Sequence, residues 1–138
     1  MRADEGLGFV PLILSHIDLR VRDRAKATEF YDALLNVLGA TQETGKTFTS
    51  WQIPPPDAPE DWEATEWFGI TEDRAMVPGS TRIAFAAPSR GTVEAIATYL
   101  LAIGARNIEM DDGEYGPKYY AVFFEDPDGN KLEVCHVG

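Results

Sequence analysis

The sequence is poor in cysteine, in basic residues and in long apolar runs. Cys135 is the only cysteine, so the chain cannot form an intrachain disulfide. Twelve Lys and Arg against 23 Asp and Glu give a net charge of −11, which repels nucleic acid and anionic membrane surfaces. No apolar run approaches the ~20 residues of a membrane span, and the first residues include acids where a secretory signal would be basic. We therefore expect a cytoplasmic protein whose partner is a small molecule or another protein.

The apolar content is sufficient for one domain with its own core. The chain has 138 residues, of which 44% are hydrophobic, and this is an ordinary length and composition for a single folded unit. We therefore expect residues 1–138 to form one domain. Within it, two similar modules are predicted, over residues 12–71 and 81–138.

The first predicted strand has one apolar face and one charged face. Apolar and polar residues alternate over residues 12–21, which is typical of a half-buried strand. Its apolar face carries Ile17, Leu19 and Val21. Its other face carries His16, Asp18 and Arg20.

A helix and three short strands are predicted to complete the first module. Asp23 can cap the helix and Gly39 ends it, while apolar residues recur at i, i+3 and i+4 between them. Residues 54–61 are too rich in proline for regular structure, and residues 72–80 form a linker. The apolar helix residues are Ala27, Phe30, Tyr31, Leu34, Leu35 and Leu38. The three strands are predicted over residues 40–43, 47–53 and 65–71.

The same order of elements returns in the second module. Ser89 can cap its helix and Gly104 ends it, at a position that matches Gly39 in the first module. Each module therefore has the order βαβββ, with one helix to cover one sheet face. The predicted buried helix residues are Val93, Ile96, Ala97, Leu100 and Leu101. Strands are predicted over residues 82–88 and 107–110, and a loop over residues 111–117.

The last two strands form a hairpin over residues 119–136, around a turn at residues 126–130. Alternation places Leu132, Val134 and His136 on one face of the returning strand. Lys131, Glu133 and Cys135 lie on the other face, where Cys135 is expected to pack as a small apolar group. Glu133 is then either a solvated residue on an open face or part of a site. If the apolar faces meet the helices, His16, Arg82 and Glu133 project from the opposite, concave face.

These features together resemble the vicinal oxygen chelate superfamily. Its members include glyoxalase I, extradiol dioxygenases, and bleomycin- and fosfomycin-resistance proteins. The likeness is carried by His16-Ile-Asp-Leu, Phe30-Tyr31, Arg82-Ile-Ala-Phe and Glu125-Asp-Pro-Asp-Gly-Asn-Lys-Leu-Glu133. Residues 84–90 and 115–121 are similar to a bacterial glyoxalase-like subgroup. The resemblance implies an α+β fold of tandem βαβββ modules with a cupped mixed sheet, a homodimer, and a lyase or isomerase step through an enolate.

The resemblance also implies a metal site with one ligand from the first strand and one from the last strand of each module. His16 matches the first ligand and Glu133 the last, while the last strand of module one offers Glu66 or its neighbour Trp67. Imidazole and carboxylate suit zinc, nickel, cobalt, manganese or iron. Arg82, however, stands where the superfamily has a second histidine.

Either Arg82 turns away from the site or no metal binds there tightly. A guanidinium ~4 Å from a divalent ion, at an effective dielectric of ~20, is repelled by about 8 kcal/mol. Without metal, Arg82 could stabilise a developing enolate, and Glu133 or His16 could act as the general base. The alternative is that Arg82 and Glu133 form an internal ion pair with no function.

Aromatic residues are the other candidates for the site. Tyr115, Tyr119, Tyr120 and Trp67 could bind a substrate, although aromatic residues in strands more often belong to the core. Trp51 and Trp62 have the same two interpretations. The second hypothesis for the function is a metal-free, drug-sequestering protein whose acidic cavity holds a cationic ligand. A third, a non-catalytic interaction module, depends only on the incomplete ligand set.

Overall fold

Eight strands and two helices follow one another in the order that the sequence patterns indicate. The computed structural model describes residues 13–138. Neither helix in this part of the chain is long and apolar enough to cross a membrane. The elements are β1 (His16–Val21), α1 (Arg24–Val37), β2 (Thr41–Thr44), β3 (Phe48–Gln52), β4 (Trp67–Glu72), β5 (Arg82–Ala86), α2 (Arg90–Tyr99), β6 (Arg106–Met110), β7 (Tyr119–Glu125) and β8 (Lys131–Val137).

Both helices begin at the predicted caps. The Asp23 carboxylate accepts a 3.1 Å hydrogen bond from the backbone N–H of Lys26, and the Ser89 hydroxyl oxygen accepts one of 3.1 Å from that of Thr92. These bonds satisfy N–H groups that have no partner within the helix. Just after α1, Gly39 has a φ of +89°, a left-handed conformation that favours glycine. The buried residues of α1 are Ala27, Phe30, Tyr31, Leu34 and Leu35.

The strands form two four-stranded mixed sheets, one for each module. The strand orders are β1-β4-β3-β2 and β5-β8-β7-β6. In each sheet the first strand of the module is at the edge and runs parallel to the last strand. The predicted α+β class with tandem βαβββ modules is confirmed.

One hydrophobic core joins the two modules. Helices α1 and α2 contact each other, and a single cluster of buried residues draws on both sheets. Where the two modules meet, the rings of Phe68 on β4 and Phe85 on β5 pack edge to face, with centroids 5.1 Å apart. The helix-covered faces of both sheets therefore point into the shared core. We call the two sheet faces that point away from the helices the outer faces.

The final hairpin turns where the sequence predicts. Gly129 has a φ of +94°, and its N–H donates a 3.0 Å bond to the carbonyl oxygen of Asp126. Asn130, which could also have taken a positive φ, does not. Leu132 and Val134 are fully buried on the helix side of β8.

Some predicted boundaries and one buried residue were wrong. The first strand begins at His16, later than the predicted start at Leu12, which itself lies outside the described residues. Strand β4 begins at Trp67, two residues later than predicted. Leu101 is 78% exposed, because α2 ends at Tyr99 and the helical periodicity no longer applies after it.

Candidate functional site

His16 and Trp67 form a stacked pair on the outer face of module one. The parallel register of β1 and β4 places the two residues side by side. Their rings are 4.6 Å apart between centroids and within 5° of parallel. The Ser15 hydroxyl lies 3.3 Å from Nδ1 of His16. These contacts fix the orientation of the imidazole.

The same register shows which of the two candidates, Glu66 or Trp67, lies on the face of His16. Trp67 shares the outer face with His16, and Glu66 is the exposed residue just before β4 begins. The expectation that Glu66 completes a ligand set with His16 and Glu133 is therefore not met. Glu66 instead lines a smaller pocket of about 350 Å³ at the seam between the modules, where Phe68 and Phe85 also lie.

A cavity of about 810 Å³ lies over the outer face of module one. Its floor is the polar side of the sheet, and its wall includes residues that follow the proline-rich loop. All of its lining residues belong to the first module, between His16 and Thr71. Those that matter for its chemistry are Asp18, Glu43, Phe48, Trp62, Glu63 and Trp67.

Arg82 lies on the outer face of module two, at the edge of the second sheet. Its Nη1 donates a 2.7 Å hydrogen bond to the carbonyl oxygen of Leu132, and its guanidinium lies 5.1 Å from the ring centroid of Phe123. In the described part of the chain, no ion pair within 4.0 Å joins Arg82 to Glu133. The guanidinium is thus held by a backbone carbonyl and an aromatic ring.

Glu133 is a buried carboxyl group on the same outer face. In the sheet it lies between Ala84 and Phe123, and the residue is only 6% exposed. Its Oε2 is buried and has no hydrogen-bond partner. Burial raises the pKa of Glu133, although the nearby guanidinium of Arg82 opposes the rise. The burial of a carboxyl group with a free oxygen is costly, and such groups often belong to functional sites.

Cys135 lies next to Glu133 on this face. The thiol is half-buried, and burial raises its pKa, with a further contribution from the Glu133 carboxylate. A raised pKa reduces the thiolate fraction and the reactivity of the sulfur. His136 lies on the other face, where its Nδ1 is 2.9 Å from the carbonyl oxygen of Ala87.

The three candidate tyrosines do not lie together. Tyr119 belongs to the outer face of module two, and the exposed ring of Tyr115 meets it edge to face at 5.3 Å. Tyr120 was expected beside them, but it lies on the helix side of β7. Its hydroxyl donates a 2.9 Å bond to Glu94 on α2, so Tyr120 binds a helix rather than lining the site.

The predicted catalytic residues lie on two different sheets. His16 is on the first sheet, whereas Arg82 and Glu133 are on the second. Both sheets turn their other faces to the common core, and the large cavity includes no residue of module two. The single concave face expected from the sequence is therefore not formed within one chain.

Two carboxylates of the large cavity were not identified from the sequence. Glu43 has a signal in retrospect, because it lies two residues after Thr41 in a short strand, so both side chains lie on the same face and line the cavity. Glu63 lies in an irregular segment, where no periodicity indicates the direction of a side chain. Its role depends on the path of the loop over the sheet.

Comparison with known families agrees with this architecture. The model of the Glyoxalase/Bleomycin resistance protein/Dioxygenase superfamily matches residues 13–134. The chain belongs to this superfamily. A search of curated proteins finds no match to this chain.

Solved structures of the superfamily match over nearly the whole chain. A glyoxalase/bleomycin resistance protein from Albidiferax ferrireducens is 27% identical, with a TM-score of 0.73 over 92% of this chain and 100% of its own. A glyoxalase-type protein from Bacillus halodurans is 26% identical, with a TM-score of 0.68 over 90% and 95%. Fosfomycin resistance protein FosX from Listeria monocytogenes shares the fold at 22% identity, with a TM-score of 0.65 over 94% and 96%.

The residues present do not fit the divalent metal that superfamily members often use. Among residues 13–138, no three His, Cys, Asp or Glu side chains are grouped to hold an ion. His16 and Glu133 offer one imidazole and one carboxylate on two different sheets, and the guanidinium of Arg82 lies close enough to Glu133 to oppose the rise in its pKa that burial causes. A cation in this position repels a metal ion electrostatically. No reaction step is therefore assigned to a metal.

Proposed function

We propose that the protein is an enzyme that forms an enolate from a small carbonyl compound, in a lyase or isomerase reaction. The observation that carries this proposal is the buried, unpaired Oε2 of Glu133 on an outer sheet face. A carboxylate with a raised pKa is a stronger base than an exposed one, which favours removal of a proton from carbon.

Arg82 supplies the electrophile in this proposal. As Glu133 takes the proton, the electron pair of the C–H bond moves to the carbonyl oxygen of the substrate. An N–H of Arg82 donates to that oxygen, and the guanidinium stabilises its negative charge. The hydrogen bond to Leu132 holds the guanidinium in place and leaves other N–H groups free. For an α-hydroxyketone, return of the proton from Glu133 to the former carbonyl carbon, with transfer of the α-hydroxyl proton to the former carbonyl oxygen, completes an isomerisation.

A homodimer would bring the two outer faces together. The cavity of one copy contains His16 and Trp67, and the outer face of module two in a second copy contains Glu133 and Arg82. Since the two faces point away from the core of one chain, a second copy is the natural source of the missing half. In this arrangement His16 contacts the substrate opposite Glu133.

Exchange of carbon-bound hydrogen with solvent tests the proposal directly. The protein is incubated in D2O with a panel of α-hydroxyketones, and deuterium uptake at the α-carbon is followed by proton NMR. We expect catalysed exchange with at least one compound, and a loss of about 100-fold or more in Glu133→Gln. Glu29→Gln, which changes an exposed carboxylate on α1, is the matched control. Exchange that survives in Glu133→Gln would remove this residue from the mechanism.

A non-catalytic binding protein is the second candidate function. It is favoured by the large cavity of module one, which forms without Glu133 or Arg82. Binding of a ligand together with no exchange across the whole panel would support this function and contradict the enzymatic one.

A further inference from the structure

The guanidinium of Arg82 contacts a strand that is not adjacent to its own. Arg82 belongs to β5, and its Cζ lies over the ring of Phe123 on β7, 5.1 Å from the centroid. Strand β8 lies between these two strands. Since neighbouring strands are about 4.8 Å apart, the side chain of Arg82 extends across β8 to reach the ring.

Glu133 lies where Arg82 crosses β8. Its register partner on β7 is Phe123, and its partner on β5 is Ala84. Alanine presents only a methyl group, yet Glu133 is 6% exposed. The ring of Phe123 and the crossing side chain of Arg82 therefore give the carboxyl group a cover that Ala84 cannot provide.

The hydrogen bond to Leu132 does not by itself fix the orientation of the guanidinium. It holds Nη1 at 2.7 Å from one carbonyl oxygen, but the planar group can still swing about that contact. The face of the Phe123 ring attracts the cation and supplies a second contact, on a different strand. Two contacts define the plane of the guanidinium and thus the direction of its remaining N–H groups.

We propose that Phe123 is a positioning residue, whose ring holds the Arg82 guanidinium over Glu133 so that the base and the electrophile reach the same substrate carbonyl group. Phenylalanine has no ionisable or hydrogen-bonding side-chain atom, so Phe123 acts only through Arg82. The inference rests on the enolate-forming function proposed above. It also explains how a cation stays beside Glu133 without an ion pair between them.

Variants of Phe123 in the deuterium-exchange assay test this role. Phe123→Leu removes the ring, and Phe123→Tyr keeps it. We expect Phe123→Leu to lower kcat about tenfold with little change in KM, because the direction of the N–H groups matters most when negative charge develops on the substrate oxygen. Phe123→Tyr should keep most of the wild-type rate. Equal losses in the two variants would contradict a role for the ring.

A double-mutant cycle shows whether the effect passes through Arg82. In the Arg82→Gln background the guanidinium is absent, so Phe123→Leu should cause no further loss of exchange. If the losses of the two single variants instead multiply in the double variant, Phe123 acts independently of Arg82 and the proposal is overturned.

NMR relaxation of the Arg82 side chain tests the same contact without a substrate. The Nε–H signal of Arg82 is assigned by its disappearance in Arg82→Gln, and its 15N relaxation reports the mobility of the guanidinium. We expect an ordered guanidinium in the wild type and in Phe123→Tyr, and a mobile one in Phe123→Leu. Equal order in all three would overturn the proposal.

The two kinds of measurement separate this inference from the proposed reaction. A protein that catalyses no exchange with any compound but shows the expected NMR pattern keeps the positioning of Arg82 and loses the enolate mechanism. Circular dichroism confirms that each variant is folded. Phe123→Met, which keeps more of the apolar volume, takes the place of Phe123→Leu if the leucine variant does not fold.

Discussion

The hydroxyl of Tyr31 donates a 2.6 Å hydrogen bond to Oδ2 of Asp126, and this bond joins the helix of module one to the last turn of module two. Asn130 also donates to Oδ2, at 2.9 Å, and Oδ1 accepts the backbone N–H groups of Asp128 and Asn130. Asp126 is 1% exposed and Tyr31 is fully buried. The Asp126 carboxylate therefore shapes the hairpin turn and also fixes one module against the other.

Removal of the Tyr31 hydroxyl should destabilise the protein without changing ligand binding. Tyr31→Phe keeps the ring but takes one donor from a buried carboxylate, at an expected cost of about 2 kcal/mol in the free energy of unfolding. Urea unfolding measures this cost. Tyr99→Phe is the matched control, because the Tyr99 hydroxyl donates a longer, 3.3 Å bond to the neutral carbonyl of Ala33. An equal or larger loss in the control would contradict the importance of the Asp126 contact.

Replacement of Glu133 by glutamine should increase stability relative to the wild type as the pH rises. Burial raises the pKa of Glu133 in the folded protein. Between the usual pKa of glutamate and this raised value, the unfolded chain has already released the proton that the folded protein retains. The stability of the wild type therefore falls as pH increases through this window, and glutamine removes that loss.

The measurement is urea unfolding of wild type and Glu133→Gln between pH 4 and pH 8. We expect the difference in unfolding free energy to move in favour of the variant as the pH increases. A difference that does not change with pH, or that changes in the opposite direction, would show that burial does not destabilise the charged form of Glu133.

Substitution of Arg82 by histidine should create affinity for metal. The variant removes the cation and supplies a second imidazole, so the repulsion of about 8 kcal/mol at an effective dielectric of ~20 disappears. Elemental analysis of protein purified without a chelating column should find less than stoichiometric zinc, nickel, manganese and iron in the wild type. The metal content should increase in Arg82→His. Arg74→His, in the linker after β4, controls for the effect of an added histidine.

Stoichiometric metal in the wild type would contradict the metal-free mechanism. Unchanged metal content in Arg82→His would show instead that His16 and Glu133 are not positioned to share an ion, even when no guanidinium is present.

Mixed dimers should test whether His16 and Glu133 act across two copies of the chain. His16→Ala and Glu133→Gln are each expected to be inactive in the exchange assay. After subunit exchange in an equal mixture, half of the dimers contain one of each variant, and each of these has one intact site. About a quarter of wild-type activity should return. No recovery, despite mass-spectrometric detection of mixed dimers, would place both residues in a site within a single chain.

Several parts of the fold follow from local sequence patterns. Asp23 and Ser89 cap the helices because a short polar side chain satisfies nearby N–H groups wherever the helix begins. Gly129 reverses the final hairpin because glycine adopts a positive φ at little cost. The alternation along β8 placed Glu133 on the face opposite Leu132 and Val134. These are short-range effects, so the sequence alone predicts them.

Packing between elements that are distant in the sequence decided the features that local patterns did not predict. Tyr120 and Tyr119 are neighbours in a strand, and only the position of α2 brings Glu94 to the hydroxyl of Tyr120. Leu101 is exposed because α2 ends earlier than its apolar pattern suggests. The choice of Trp67 over Glu66 depended on the register between β1 and β4. A shift of one residue in that register would move Trp67 to the core face of the sheet and would put Glu66 on the outer face.

The sequence by itself determined the two βαβββ modules, because caps, periodicity and turns are short-range features of the chain. The conflict between Arg82 and a metal ion came from the resemblance to the superfamily, which implies a histidine at that position. Only the tertiary structure decided which sheet faces meet. The apolar faces of both sheets and the two helices gain the most by burial in one core, and this turns the polar faces of His16 and Glu133 away from it. The separation of these two residues is a consequence of packing between modules, which no local pattern encodes.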